Sequence, residues 1–255
     1  MHQEWFNDEN FWKEYAPIMF DGKRWGEVGA VADGVTALAR LSPYGGRAAE
    51  PPSVLDACCG FGRITAELAR RGFRATGVDI TPAYLSAARE DAAHEGLNIE
   101  YIESDVRLWK RPAAFDLAVN LYISFGYFRE AADDLLFARN VYESLKSGGS
   151  FIVETLGKEI AVRDFVEAEW FERAGYFVLT AYEALDSWDM LKNRWILIGA
   201  DGRRIEKTFT QRLYAATELR RLLCEAGFAE VELYGDWNES PYDRAAARLI
   251  AVGRK

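Results

Sequence analysis

The sequence predicts an α/β fold built on a doubly wound, mostly parallel sheet that ends in an antiparallel strand. Three observations predict it. Short apolar runs alternate with helical patterns between residues 53 and 155. A glycine-rich turn follows the first of these runs, and acidic or polar residues stand where the successive strands should end. In such sheets, ligands bind outside the carboxyl ends of the strands.

The core starts at a short apolar strand, Val54-Leu55, which should end at Asp56. The turn Gly60-Phe61-Gly62 leads into a predicted helix over residues 64–71, which Gly72 ends. The other strands predicted for the core are 74–79, 99–103, 115–121, 150–155, 229–234 and 248–253. Its other helices are predicted at 81–95, 130–145 and 217–226. The last two strands should form a hairpin-like pair that contains the reversed strand.

The N-terminal residues 1–47 lie outside this alternation. Residues 4–20 are rich in aromatic side chains at helical spacing, and residues 26–41 predict a second helix. We expect these helices either to pack on the core or to act as a lid that closes over a ligand.

A second segment, 157–212, also interrupts the alternation. Residues 177–185, 188–199 and 204–213 are strand-like, and Asp201-Gly202 predicts a hairpin turn. We expect an auxiliary antiparallel sheet that extends the core, forms a homodimer or covers the substrate pocket. The whole chain, 1–255, is then a single domain whose cofactor-binding core comprises 48–156 and 213–255.

Composition excludes several classes of function. The chain has 255 residues, 49% hydrophobic and 28% charged, which is typical of a globular protein with a sizeable core. A net charge of −9 and the lack of a long basic run argue against a nucleic-acid partner. Without an apolar run of membrane-spanning length or a secretory signal, we expect a cytoplasmic protein with no membrane partner. The three cysteines, Cys58, Cys59 and Cys224, do not indicate a disulfide framework, and no metal site is expected.

The glycine turn distinguishes between two classes of cofactor. A dinucleotide turn has a third glycine, but Thr65 stands there, and Asp56 would repel a pyrophosphate. An acid at that position suits a cation, such as an amino group or a sulfonium. Asp79 ends the second predicted strand, 23 positions after Asp56, where a carboxylate can accept hydrogen bonds from the two hydroxyls of a ribose.

These features resemble the class I S-adenosylmethionine-dependent methyltransferases, which have a Rossmann-like fold. The resemblance is carried by the run Asp56-Ala57-Cys58-Cys59-Gly60-Phe61-Gly62, by Asp79 and by the Leu-Lys-Ser-Gly-Gly turn before the fifth strand. Other segments are similar to a broad bacterial group of such enzymes. The resemblance implies S-adenosylmethionine as cofactor and S-adenosylhomocysteine as product. It is specific for cofactor and reaction type, and it does not identify the methyl acceptor.

The resemblance also implies a role for the turn residues. The backbone around Cys58, Gly60 and Gly62 would face the methionine part of the cofactor. Asp56 would hold or orient the amino group of that methionine part.

The strand ends that follow would hold the rest of the cofactor. In Asp79-Ile80, the acid would bind the ribose and the isoleucine would lie against the adenine. Asp105-Val106 would hold the adenine, and Asn120-Leu121 would lie beside the methionine amino group and the methyl group. Ala57 and Arg63 complete the predicted cofactor-binding set.

The acceptor pocket is predicted from position alone. The candidate residues come from the lid, from the loop after the fourth strand and from the end of the auxiliary sheet: Tyr15, Tyr122, Arg212 and Tyr214. Arg212 would meet a substrate carboxylate or phosphate. The alternative is that these side chains only pack.

The reaction needs little acid–base chemistry, because a sulfonium methyl group is already activated and the enzyme mainly aligns the nucleophile. Neither histidine, His2 or His94, is placed as a general base. This favours an amine or an acidic hydroxyl as acceptor. The run Asn120-Leu121-Tyr122-Ile123 lacks the two prolines found in enzymes that methylate adenine or glutamine.

We therefore expect methyl transfer to a small molecule at nitrogen or oxygen. The alternatives are an RNA or protein methyltransferase and a catalytically inert protein that binds the cofactor for regulation. An NAD-dependent dehydrogenase is the least favoured.

Overall fold

The computed structural model describes residues 4–42 and 50–255. The strands are β1 (Ser53–Ala57), β2 (Arg74–Asp79), β3 (Glu100–Glu103), β4 (Phe115–Asn120), β5 (Leu145–Thr155), β6 (Ala168–Arg173), β7 (Tyr176–Leu185), β8 (Met190–Ile198), β9 (Arg204–Arg212), β10 (Glu230–Tyr234) and β11 (Leu249–Arg254). The helices are α1 (Glu9–Met19), α2 (Gly22–Gly26), α3 (Val28–Ala39), α4 (Arg63–Arg70), α5 (Pro82–His94), α6 (Ala131–Ser144), α7 (Lys158–Arg163) and α8 (Ala216–Ala226). His2 and most of the loop predicted between Ser42 and Pro52 lie outside the described residues.

Seven strands form the main sheet in the order β10-β11-β5-β4-β1-β2-β3. β11 runs antiparallel to both of its neighbours, and the pairs among β1 to β5 are parallel. This confirms the predicted fold class. Because the parallel strands share one direction, the carboxyl ends of β1 to β4 meet at one edge of the sheet.

The main sheet is buried on both faces. All five residues of β1 are buried, as expected for a parallel strand covered by helices on each side. On one face, β1 and β5 pack with α6 and α8. On the other face, the central strands pack with α3 and α4. The polar strand ends are therefore held on a rigid core.

The auxiliary sheet is antiparallel, in the order β6-β7-β8-β9. Its inner face carries Val178, Leu197 and Phe209, which pack on Phe11 and Ile18 of α1. Helix α1 begins at the N-cap Asp8, whose Oδ1 accepts hydrogen bonds from the amides of residues 10 and 11. The aromatic N-terminal segment thus fills the space between the two sheets.

Four details differ from the sequence prediction. The auxiliary sheet has a fourth strand, β6, whose charged residues Glu169 and Glu172 hide the apolar pattern because β6 is an exposed edge strand. The short helix α7 was not predicted. The helix predicted over 26–41 is observed as α2 and α3. β5 begins five residues earlier than predicted, where Leu145 pairs with Phe115, and its register with β4 then shifts between Phe115 and Leu117.

Candidate cofactor and acceptor site

A cavity of about 300 Å³ lies between the carboxyl edge of the main sheet, α1 and the inner face of the auxiliary sheet. Its volume falls in the range of small-molecule sites. One side, the strand-edge wall, comprises Cys58, Cys59, Gly60, Arg63, Asp79, Ile80, Asp105, Val106 and Leu121. The opposite side, the aromatic wall, comprises Trp5, Phe11, Trp12, Phe171, Trp195 and Phe209.

The glycine turn brings backbone to the cavity. The amides of Cys58 and Cys59 both donate to the carbonyl oxygen of Val78, at 2.8 and 3.1 Å. Gly62 has φ +68°, and a Cβ there would lie 2.3 Å from the hydroxyl oxygen of Tyr101. Only glycine fits this position, which explains the second glycine of the motif.

Asp79 ties the end of β2 to this turn. Its Oδ2 accepts a hydrogen bond from the amide of Gly60 at 2.8 Å, and its Oδ1 accepts from the amide of Thr81 at 2.8 Å. The residue is 8% exposed, and burial raises the pKa of its carboxyl. Asp79 lines the cavity, as a residue that binds hydroxyl groups must.

Asp56 does not reach the cavity. Its Oδ2 accepts a hydrogen bond at 2.6 Å from the hydroxyl of Thr65, and burial raises its pKa to about 7. The carboxylate is turned toward α4, so the role predicted for Asp56, holding or orienting the methionine amino group, stays a prediction and would be indirect. Ala57, Gly62 and Asn120 also lie behind the lining of the cavity.

Asn120 joins two neighbouring strand ends. Its Nδ2 donates to the carbonyl oxygen of Ala57 at 2.9 Å, and the residue is fully buried. Its Oδ1 has no hydrogen-bond partner among the described residues. Asn120 and Ala57 therefore shape the strand edge from behind.

Arg63 is a buried cation that lines the cavity. The residue is 6% exposed, and its guanidinium forms no ion pair with any residue in the described ranges. Instead it lies 4.5 Å from the ring centre of Tyr122 and 5.1 Å from that of Phe20, and its Nη1 donates to the carbonyl oxygen of Arg24 at 2.6 Å. Burial lowers the pKa of Arg63. Buried charges are normally paired, so this position favours an anionic ligand group.

Asp105 lines the cavity at the end of β3 and is held by Arg107. Arg107 Nη2 lies 2.6 Å from Asp105 Oδ2 and 2.7 Å from Glu4 Oε2. Its Nη1 lies 3.2 Å from Asp133 Oδ2. One arginine thereby connects the N-terminal segment to the strand-edge wall.

The loop after β4 has an unusual backbone. Tyr122 and Ile123 have φ of +58° and +67°, which is uncommon for residues other than glycine. Glu154 of β5 holds both: its Oε2 accepts from the amide of Tyr122 at 2.5 Å, and its carbonyl oxygen accepts from the amide of Ile123 at 3.3 Å. Arg248 Nη1 lies 2.6 Å from Glu154 Oε1. Strained backbone of this kind often occurs at functional sites.

Glu154 is a site residue that was not predicted from the sequence. The signal was an acid within the apolar strand Phe151-Ile152-Val153-Glu154. Buried acids are rare unless they are paired, so such a residue indicates a specific partner.

The aromatic wall is closely interlocked. The ring centre of Phe209 lies 4.8 Å from that of Trp5 and 5.5 Å from that of Trp195. Arg173, Asn193 and Gln211 add polar groups to the cavity beside these rings. The residues that α1 and the auxiliary sheet contribute to the lining include no acid.

Of the four predicted acceptor residues, only Tyr122 lines the cavity. The other three are not part of its lining. The hydroxyl of Tyr15 donates to the carbonyl oxygen of Trp195 at 2.9 Å, and that of Tyr214 donates to Asp134 Oδ2 at 2.7 Å. Arg212 Nη2 donates to the carbonyl oxygen of Arg129 at 2.5 Å. Their positions in the chain are near the site, but each of these side chains bonds to a group outside the cavity lining, and the buried Nε of Arg212 has no partner among the described residues.

The described residues include no group of three or more His, Cys, Asp and Glu side chains that could hold a metal ion. Burial raises the pKa of both Cys58 and Cys59, so these thiols stay protonated at neutral pH. Within residues 4–42 and 50–255, no helix is long and apolar enough to cross a membrane.

Comparison with known proteins agrees with this geometry. Residues 54–149 match the family model described as a methyltransferase domain. A candidate methyltransferase of Geobacillus sp. (strain WCH70) is 24% identical over 221 residues, which cover 85% of this chain and 89% of that protein.

Two solved structures share the fold. An S-adenosylmethionine-dependent methyltransferase from Clostridium acetobutylicum ATCC 824 has a TM-score of 0.75 at 17% identity, covering 96% of this chain and 97% of that chain. The amino pentose methyltransferase CalS10 from Micromonospora echinaspora, solved with S-adenosylmethionine bound, has a TM-score of 0.67 at 20% identity, covering 95% of each chain. The family match over residues 54–149, the Geobacillus relative and the shared fold together support a class I S-adenosylmethionine-dependent methyltransferase.

Proposed function

We propose that this methyltransferase acts on a small molecule, at nitrogen or oxygen, and that acceptor and cofactor share the cavity described above. The observation that carries the proposal is the arrangement of one cavity with two unlike walls. The strand-edge wall supplies charged groups and exposed backbone, and the aromatic wall supplies rings. α1 and the auxiliary sheet enclose the aromatic side, which suits a small acceptor better than a macromolecule.

The strand-edge residues fit the cofactor. Asp79 presents a carboxylate that can accept from ribose hydroxyls, and Asp105-Val106 lies where an adenine can be held. Arg63 offers the cavity a guanidinium that the described residues leave without an acid, so we assign it to the carboxylate of the methionine part. Asp56 acts from behind, by fixing the start of α4 through Thr65.

The bound cofactor supplies a methyl group that is already activated by the positive sulfur. The protein must then orient the acceptor and exclude water. Leu121 of the strand-edge wall and Tyr122 beside it line the cavity, and Glu154 fixes the loop backbone through the amides of Tyr122 and Ile123. The rings of the aromatic wall provide a shaped, apolar surface for the acceptor.

A general base is not needed for this proposal. Neither acid in the lining, Asp79 or Asp105, comes from the aromatic wall. Burial raises the pKa of Tyr84, Tyr122 and Tyr127, so these hydroxyls keep their protons at neutral pH. An amine or an acidic hydroxyl can react without a protein base, and such acceptors fit the cavity best.

Turnover tests the proposal directly. Purified protein is incubated with S-adenosylmethionine and pools of small amines, phenols and hydroxy acids, and release of S-adenosylhomocysteine is measured. We expect release with at least one pool. Tight cofactor binding with no release from any small-molecule pool, but with release from RNA or protein, would contradict the small-molecule acceptor.

Asp79→Ala tests the cofactor site separately. We expect the affinity for S-adenosylhomocysteine to fall about 100-fold or more, because two hydrogen bonds to a charged acceptor are lost. Asp91→Ala removes an exposed acid from α5 and is the control, with affinity expected to change less than about twofold. Calorimetry measures both.

A further inference from the structure

The auxiliary sheet has an outer face with apolar residues open to solvent. Trp170, Phe177 and Leu179 on this face are 67%, 49% and 38% exposed. Alternate residues of β7, such as Val178 and Thr180, are buried on the inner side, so the exposed residues point outward. A cluster of large exposed side chains on one sheet face is typical of an interaction surface.

Strand register arranges this outer face in rows. One row runs Trp170-Leu179-Ile196-Glu206 across the four strands, and the next runs Glu172-Phe177-Ile198-Arg204. Each row has apolar residues on the two central strands, β7 and β8. The second row has an acid at the β6 edge and an arginine at the β9 edge.

The two edges carry opposite charge. Glu172 forms no ion pair with any residue that the structure describes. On the other side, Arg204 of the edge strand β9 and Arg194 of the neighbouring strand β8 both pair with the single acid Glu206, which leaves a net positive charge there. In these two rows the face is therefore apolar on the central strands, negative at the β6 edge and positive on the β9 side. Farther along β7 and β8 the same face carries the ion pair of Glu183 and Lys192.

We propose that the outer face of the auxiliary sheet is the interface of a homodimer whose twofold axis runs parallel to the strands. Rotation about this axis sets β6 opposite β9 of the second copy and β7 opposite β8. Phe177 then meets the partner's Ile198, Leu179 meets the partner's Ile196, and Glu172 meets the partner's Arg204. Each contact occurs twice, as a twofold interface requires.

The proposal does not depend on the proposed function. The cavity lies on the inner side of the same sheet, and the outer-face residues Trp170, Phe177 and Glu172 are absent from its lining. Association through the outer face thus leaves the site open.

Light scattering after size exclusion tests the interface. The chain has a mass of 28.8 kDa, and we expect the full-length protein at about 50 μM to show twice this mass. Phe177→Glu should give a monomer, because it places a charge in the apolar centre. Leu136→Glu, at a residue of α6 that is 42% exposed, is the control and should remain dimeric.

A charge exchange tests the predicted pairing without changing the apolar centre. Glu172→Arg and Arg204→Glu should each raise the dimer dissociation constant about tenfold, and the double variant should restore it to within about threefold. A monomeric wild type, or a double variant no better than the single ones, would overturn the proposal. Dimers that survive Phe177→Glu but are lost with Glu169→Pro would place the interface at the β6 edge and would also overturn it.

Discussion

The two walls of the cavity differ in how they are built and in what they can recognise. The strand-edge wall presents two acids and one unpaired arginine among the described residues, held on the buried parallel sheet. The aromatic wall presents rings, held on α1 and an antiparallel sheet. Charge at fixed positions suits one invariant ligand, whereas a surface of rings recognises shape. This difference explains why the cofactor can be predicted from the sequence and the acceptor cannot.

The loop after β4 joins the two walls. Of the changes predicted here, Glu154→Ala should have the largest effect on stability and on turnover. The change leaves the amide of Tyr122 without its partner and Arg248 with only the more distant Glu27, at 3.8 Å, so we expect the free energy of unfolding to fall by about 3 kcal/mol. The kcat/KM for an acceptor should fall about tenfold or more, since the loop loses its support. Affinity for S-adenosylhomocysteine should change less than about threefold.

Denaturant unfolding, turnover and calorimetry measure these effects. Glu183→Ala is the control, because its pair with Lys192 is exposed and should contribute less than about 1 kcal/mol. If Glu154→Ala lowers the affinity for S-adenosylhomocysteine by as large a factor as it lowers kcat/KM, the loop belongs to the strand-edge wall alone.

Asp134 holds the same loop through the amide of Gly126. We expect it to make the free energy of unfolding depend on pH, with an effect of intermediate size. Its Oδ1 accepts from the amide of Gly126 at 3.2 Å, and burial raises its pKa to about 7. The folded state therefore holds this proton between about pH 4 and 7, where the unfolded state loses it. Stability from this group is complete below pH 4 and is lost as the pH rises to 7.

Asp134→Asn should flatten that pH dependence. Relative to wild type, we expect the variant to gain up to about 2 kcal/mol in unfolding free energy between pH 5 and pH 7, from urea titrations at each pH. Asp56 has a similarly raised pKa, so part of the dependence of unfolding free energy on pH should remain in the variant. Acids with a lowered pKa, such as Asp116, act in a more acidic range. If the unfolding free energy of Asp134→Asn depends on pH as steeply as that of wild type, Asp134 does not have the raised pKa assigned to it.

Tyr15→Phe should have the smallest effect. It compares a residue that packs behind the aromatic wall with Tyr122, which lines the cavity. The hydroxyl of Tyr15 binds the carbonyl oxygen of Trp195 and does not reach the cavity. We expect a loss of about 1 kcal/mol in unfolding free energy and KM values within about twofold of wild type. Tyr122→Phe serves as the comparison at the cavity. A large change in KM for Tyr15→Phe would return that residue to the acceptor site.

The sequence was sufficient for the main sheet and for most of the strand-edge wall. Strand ends and glycine turns follow local rules, so the pattern of strands and the family resemblance place Gly60, Asp79, Asp105 and Leu121 at the strand edge, where they line the cavity. Side-chain direction was not predictable. The positions of Asp56 and Asn120 were right, but both turn toward neighbouring elements.

The aromatic wall depends on contacts between distant parts of the chain. Trp5, Phe171 and Phe209 converge only because α1 packs on the auxiliary sheet, and no local pattern reports that. The same reason explains why three of the four predicted acceptor residues do not line the cavity. Tyr214 and Arg212 come near the site along the chain, but partners on α6 and the preceding loop hold them.

The most direct test of the central claim compares two ligands at Arg63. S-adenosylhomocysteine carries the methionine carboxylate, and 5′-methylthioadenosine lacks it. If Arg63 holds that carboxylate, calorimetry on Arg63→Met should show S-adenosylhomocysteine binding about 10- to 100-fold more weakly than to wild type, with 5′-methylthioadenosine unchanged within about twofold. Equal losses for both ligands, or no loss for either, would contradict the account.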